Sequence, residues 1–140
     1  MIGQRHVWLG VGETGYPIRR ADYLASFFDT VAFRLEGGAR GSLFPTVAWL
    51  YEHGHLGPSA AAQARTELRR IFDALRALPP TDVVWTIDDP TRPPPWDEYP
   101  TYPAETLADW HTTADGHHLM TVVDTTLETS IRTGHPLRIV

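Results

Sequence analysis

A chain of 140 residues, 42% of them hydrophobic and 21% charged, has the make-up of one ordinary folded domain, and residues 1–140 are read as such. A formal charge of −5 speaks against a general nucleic-acid binder. No run of about 18 apolar residues is present to span a membrane, and Met1 to His6 open no apolar stretch of the kind a secretion signal needs.

In chain order, residues 6–11 alternate as a first strand and are closed by a glycine-rich turn region, Gly12 to Gly15. Asp22 is suited to cap a helix in which Leu24, Phe27, Phe28, Val31 and Leu35 recur at helical spacing until Gly37 and Gly38. Pro45 fits the first turn of a shorter helix carrying Val47, Leu50 and Tyr51 and ended by Gly54. A third helix starts around Pro58, with Leu68, Ile71, Phe72, Leu75 and Leu78 as its apolar stripe, and Pro79-Pro80 break it. Residues 82–87 are β-rich enough for a buried strand, and 107–113 suggest another. A last helix over 118–132 carries Leu119, Val122, Val123, Leu127 and Ile131, and 136–140 read as a terminal strand. Elements of both kinds mix without a βαβ repeat, so the expected class is α+β: three or four helices packed on a small, mostly antiparallel sheet.

Chemical templates mostly fail. The absence of cysteine excludes disulfides and thiolate metal sites, and the absence of lysine excludes a Schiff base or a P-loop lysine. All twelve basic residues are arginine, and asparagine is missing as well, which points to a GC-rich source genome rather than to a mechanism. Gly10-Val11-Gly12-Glu13-Thr14-Gly15 spells the glycines of a dinucleotide fingerprint, but Pro17 follows where a helix must start, so a tight turn is the better account. Among the seven histidines, His53 and His55 lie at a helix end where His also favours the helix dipole, and His117 and His118 diverge as neighbours do. For both pairs the surface or capping reading is favoured over a metal site, and no catalytic residue, metal or cofactor is assigned. Trp85 and Trp49 fall in apolar patterns and read as core.

The segment from Pro90 to Pro103 holds six of the twelve prolines and so has little conformational entropy to lose on binding. Asp88, Asp89, Asp97 and Glu98 stand there beside Trp96, Tyr99 and Tyr102. Solvated loop and partner interface are both compatible with that composition. As an interface, the aromatic side chains would anchor a partner and the acids would complement a basic surface.

The succession Gly41-Ser42-Leu43-Phe44-Pro45-Thr46, then Leu50-Tyr51 and a glycine, then a long charged helix, then Val84-Trp85-Thr86-Ile87-Asp88-Asp89 and Pro94-Pro95-Trp96 resembles the bacterial polymorphic-toxin immunity proteins of family seventy. Asp115-Gly116 before a leucine-bearing helix fits the same family, and the likeness covers roughly residues 20–140. Thr86 stands where the family usually has an acid and Asp97 where it has a glycine, which leaves Asp88 or Asp89 to take that acid's place. The resemblance implies a cytoplasmic, non-enzymatic protein that neutralises a cognate toxin domain by direct contact, with no nucleic-acid or membrane partner; a homodimer is left open. The alternatives are a small metal-assisted hydrolase using His53, His55 or His111 with the acids, and a non-catalytic ligand-binding subunit.

Overall fold

The computed structural model describes residues 5–94 and 104–140. Within them the chain runs β1 (His6–Val11), β2 (Thr14–Arg20), α1 (Ala21–Leu35), α2 (Pro45–His53), β3 (His55–Leu56), α3 (Pro58–Leu75), α4 (Leu119–Thr133) and β4 (Leu137–Ile139). The α+β expectation holds: four helices accompany a four-stranded antiparallel sheet of order β2-β1-β4-β3. The inward residues Val7, Leu9, Val11, Ile18 and Leu137 join Phe27, Val31, Leu68, Ile71 and Leu127 of the helices in one buried cluster.

The glycine-rich segment after β1 is a tight turn, as its composition suggested, but a shorter one than residues 12–15. Val11 pairs with Thr14, leaving Gly12-Glu13 as a two-residue hairpin loop in which Gly12 takes φ 59°. Glycine in the first loop position suits the strand twist of a type II′ hairpin. Residues Thr14–Arg20 then return as β2, a strand that the sequence patterns do not announce, since Gly15 and Pro17 are disfavoured within strands. β2 is an edge strand, where proline is tolerated, and its register slips between the His6–Arg20 and Trp8–Pro17 pairs.

Helix α1 begins one residue before Asp22, whose carboxylate pairs with Arg20 at 2.5 Å instead of capping the helix. The helix ends where expected, and Gly54 closes α2 in a left-handed conformation. Of the α3 stripe, Leu68, Ile71 and Leu75 are buried and Phe72 is half-buried.

Two expected strands do not form. Residues 82–87 are buried in part, yet they add no strand to the sheet, because their backbone groups bond to side chains of α1 rather than to a neighbouring strand. Val84 N–H donates to Thr30 Oγ1 at 3.1 Å, and Val84 O accepts from the Thr30 and Ser26 hydroxyls at 3.1 and 2.6 Å. Ile87 N–H donates to Asp29 Oδ2 at 3.0 Å. Residues 107–113 likewise make a 3-10 turn at Leu107–Asp109, followed by backbone held on Tyr23. The Tyr23 hydroxyl accepts from Thr112 N–H at 2.8 Å and donates to Trp110 O at 3.3 Å.

His111 completes this layer. It is buried, and its Nε2 lies 3.1 Å from Ser26 Oγ. The Ser26 proton is committed to Val84 O, so Nε2 carries the proton and donates, and the ring is the neutral Nε2–H tautomer. Burial lowers the His111 pKa from 6.5 to about 3.

Two stability tests follow from this layer. Thr30→Val keeps shape but strips the buried Val84 N–H of its acceptor, and should cost about 1–3 kcal/mol, read as a lower urea midpoint with an unchanged slope. For His111, the unfolded chain takes up a proton below pH 6.5 that the folded chain refuses until about 3. The stability this group contributes is therefore complete above pH 6.5 and declines, by up to about 1.4 kcal/mol per pH unit, as pH falls through that window. His111→Gln keeps a donor toward Ser26 and should flatten the difference. Parallel pH profiles for the two proteins would contradict the assignment.

Candidate interaction site

Asp88 and Asp89 form the tip of a turn built on α1. Asp89 N–H donates to Thr86 O at 3.2 Å, Asp88 N–H to the Thr86 hydroxyl at 3.3 Å, and Arg92 N–H to Asp89 O at 3.0 Å. Both acids are exposed. Asp89 Oδ1 is turned back to accept from the Thr91 backbone and hydroxyl, whereas the Asp88 carboxylate accepts no hydrogen bond among the described residues. What fixes the turn is Asp29. One of its oxygens holds Ile87 N–H, and the other meets Arg40 at 2.5 Å. Arg40 in turn lies 4.8 Å over the ring of Tyr51, which stacks on Phe28 at 4.6 Å. Burial, then the Asp29 charge, raise the Tyr51 pKa. The remaining expected contact residues, Trp96, Asp97, Glu98, Tyr99 and Tyr102, lie outside the described residues.

The tryptophans divide differently from expectation. Trp85 is core, at 6% exposure, but Trp49 is 48% exposed. Helix α2 has only nine residues and turns Val47, Ala48 and Leu50 inward, which leaves Trp49 on its outer side. There its ring stacks on His53, with centroids 3.7 Å apart and planes at 16°, and His53 meets His55 edge-on at 6.4 Å. Trp8 is also exposed, at 46%, on the sheet face turned away from the helices.

Among the described residues no histidine forms an ion pair with Asp88 or Asp89. Among the described residues there is no group of three His, Asp or Glu side chains able to hold a metal. His118 lies 3.7 Å from Asp109 and His117 the same distance from Asp115, two separate surface pairs. The Asp115 carboxyl is held below its usual range, chiefly by the Thr113 hydroxyl at 2.5 Å. His111 and Ser26 are in contact but sealed in the core, with the serine proton directed at a carbonyl, so the pair is not arranged as a nucleophile and its base. A groove between α3 and α4, lined by Leu68, Phe72 and Met120, has a volume of about 230 Å³, below the roughly 300–1,000 Å³ of typical ligand pockets, and a hollow of about 550 Å³ beside Leu24, Tyr51 and Glu52 falls within that range. Among the described residues no helix is long and apolar enough to cross a membrane.

The sequence blocks that resembled an immunity family have a structural role here. Glu36 Oε2, just beyond α1, accepts from the backbone N–H groups of Gly41, Leu43 and Phe44 at 2.9, 3.0 and 3.1 Å. Glu67 Oε1, buried in α3, accepts from Thr46 and Val47 N–H at 2.9 Å each, supplying acceptors to otherwise unpaired donors at the start of α2. Gly41 takes φ 88°, which a side chain would resist, so the loop can bend onto Glu36. The Val84-Trp85-Thr86-Ile87 block is the segment that hangs on Ser26, Thr30 and Asp29.

A family model described as Immunity protein 70 matches residues 9–139. No curated protein and no solved structure gives a significant match. With nearly the whole chain covered by that one model, and its loop and strand-like blocks accounted for by the fold, the chain belongs to the immunity protein 70 family.

Proposed function

We propose that this chain binds a cognate toxin domain directly and neutralises it, without catalysis, in the cytoplasm of the cell that makes both. The family match over residues 9–139 carries this reading. The exposed acidic turn supports a contact role for Asp88 and Asp89, since both are presented on backbone fixed by Asp29 rather than on a free loop. A pre-set turn loses little entropy on docking, and exposed charges act mainly by steering encounter. In the same reading Trp96, Asp97, Glu98, Tyr99 and Tyr102 extend the contact from the turn.

Co-expression with the toxin encoded beside this chain is the direct test: cells carrying both should grow, and cells dying as fast as with toxin alone would refute the proposal. For the turn, the Asp88→Arg/Asp89→Arg protein should associate with the toxin roughly tenfold more slowly at low salt, with the difference shrinking as salt rises. An association rate equal to wild type, measured by stopped flow, would remove the turn from the contact.

A further inference from the structure

The outer face of the sheet is a second exposed surface with a different chemistry. The register aligns its outward positions in rows. His55, Arg138, Gly10 and Gly15 stand opposite one another across β3, β4, β1 and β2. In the next row Val140 and Trp8 exchange backbone hydrogen bonds at 2.7 and 2.9 Å, and Trp8 faces Pro17. No outward strand position carries Asp or Glu, on a chain whose net charge is −5. The cations on this face are Arg20, which pairs with Asp22, and Arg138, which makes no ion pair among the described residues.

Gly10 is the informative residue. Its φ is not positive, so the backbone does not require glycine, and an added Cβ would meet nothing nearer than Val140 Cγ2 at 3.7 Å. Gly15 has a local reason, because the Trp8 ring lies 3.2 Å from where its Cβ would be. A glycine inside a strand weakens it and often marks a bulge, a bend or a place where a ligand or another backbone approaches closely, and the register shift of β1 falls between His6 and Trp8, away from Gly10. Gly10 and Gly12 floor a hollow of about 290 Å³, walled by His135, Arg138 and Val140.

We propose that this face is a docking surface for the toxin domain. It seats a segment whose backbone passes over Gly10, which presents a carboxylate to Arg138 and rests an apolar side chain on Trp8 and Val140. Such a partner fits this face: an arginine with no ion pair among the described residues and an exposed tryptophan are of the residue types that dominate interface energetics, and outward strand positions without an acid complement an acidic segment. The inference rests on the reading of the chain as a direct toxin binder and adds where, and with what chemistry, the toxin is held.

The test is titration of the purified toxin domain encoded beside this chain with wild type, Gly10→Val and Arg138→Glu proteins. Each variant should bind about 30-fold or more weakly, since a central interface group is worth at least that factor. Gly10→Val should also melt no lower than wild type, because valine suits a strand better than glycine, so its loss of binding cannot come from unfolding. Both variants binding within about twofold of wild type would overturn the docking surface while leaving toxin binding intact. Wild type failing to bind at all would overturn the direct-contact function itself, and the docking surface with it.

Discussion

The fold depends on a buried helix face that is polar where it has to be. Tyr23, Ser26, Asp29 and Thr30 recur at helical spacing along α1, beside Phe27 and Val31. Their side chains satisfy backbone groups of two segments that do not join the sheet, the second of which is also held by Arg19 of β2 through the Thr112 and Thr113 carbonyls. A buried hydrogen bond contributes only about 0.5–1.5 kcal/mol net, but an orphaned buried donor costs about 1–3 kcal/mol. The asymmetry makes α1 a template: residues 82–87 and 110–113 must lie where its hydroxyls and carboxylate are, or leave amides unpaired. The neutral tautomer of His111 belongs to the same arrangement, because its proton has one acceptor, Ser26, whose own proton is taken by Val84.

Glu36 and Glu67 apply the same rule at the other end of the core. Both are buried, neither has a cationic partner among the described residues, and each is compensated by backbone N–H groups instead. For Glu67 the donors sit at the N-terminus of α2, where the helix dipole also favours an anion. One carboxylate from α3 thereby sets where α2 begins, and the Glu36 carboxylate sets the loop that leads into it. Each fastener works at a distance of 5 to 21 residues along the chain, so the loop and the helices it joins are positioned together.

This is why the sequence was legible in part. All four helices could be read from apolar spacing with proline and glycine punctuation, because those signals are local. β1 alternates cleanly and was equally plain. β2 was hidden by Gly15 and Pro17, which an edge strand tolerates and a central one does not. Residues 82–87 have the composition of a buried strand because they are buried and extended in part. What they lack is a strand to pair with, and their partners on α1 lie 54 to 58 residues away. Trp49 was misplaced since a nine-residue helix has too few turns for its inward face to be read reliably from spacing alone. The outer sheet face could not be assembled from sequence until β2 was known, although the alternation of β1 already put His6 and Trp8 on one side.

Only part of each described family block is buried, and that part bears on where recognition can reside. Phe44, Val84 and Trp85 are buried, and the backbone around them is held by Glu36, Glu67, Ser26 and Thr30. Residues so enclosed can define a fold but cannot touch a partner. On the proposed reading, discrimination between toxins must come from exposed positions that the fold tolerates in many forms. The turn at Asp88 and Asp89 and the outer sheet face meet that condition in opposite ways. The turn carries charge on a backbone fixed from behind by Asp29, so its side chains can change without disturbing their support. The sheet face gives up side-chain packing at Gly10, a local loss of stability with no folding benefit, in return for a close approach. On the proposed reading that contact distinguishes Gly10 from the glycines whose positive φ the backbone itself demands.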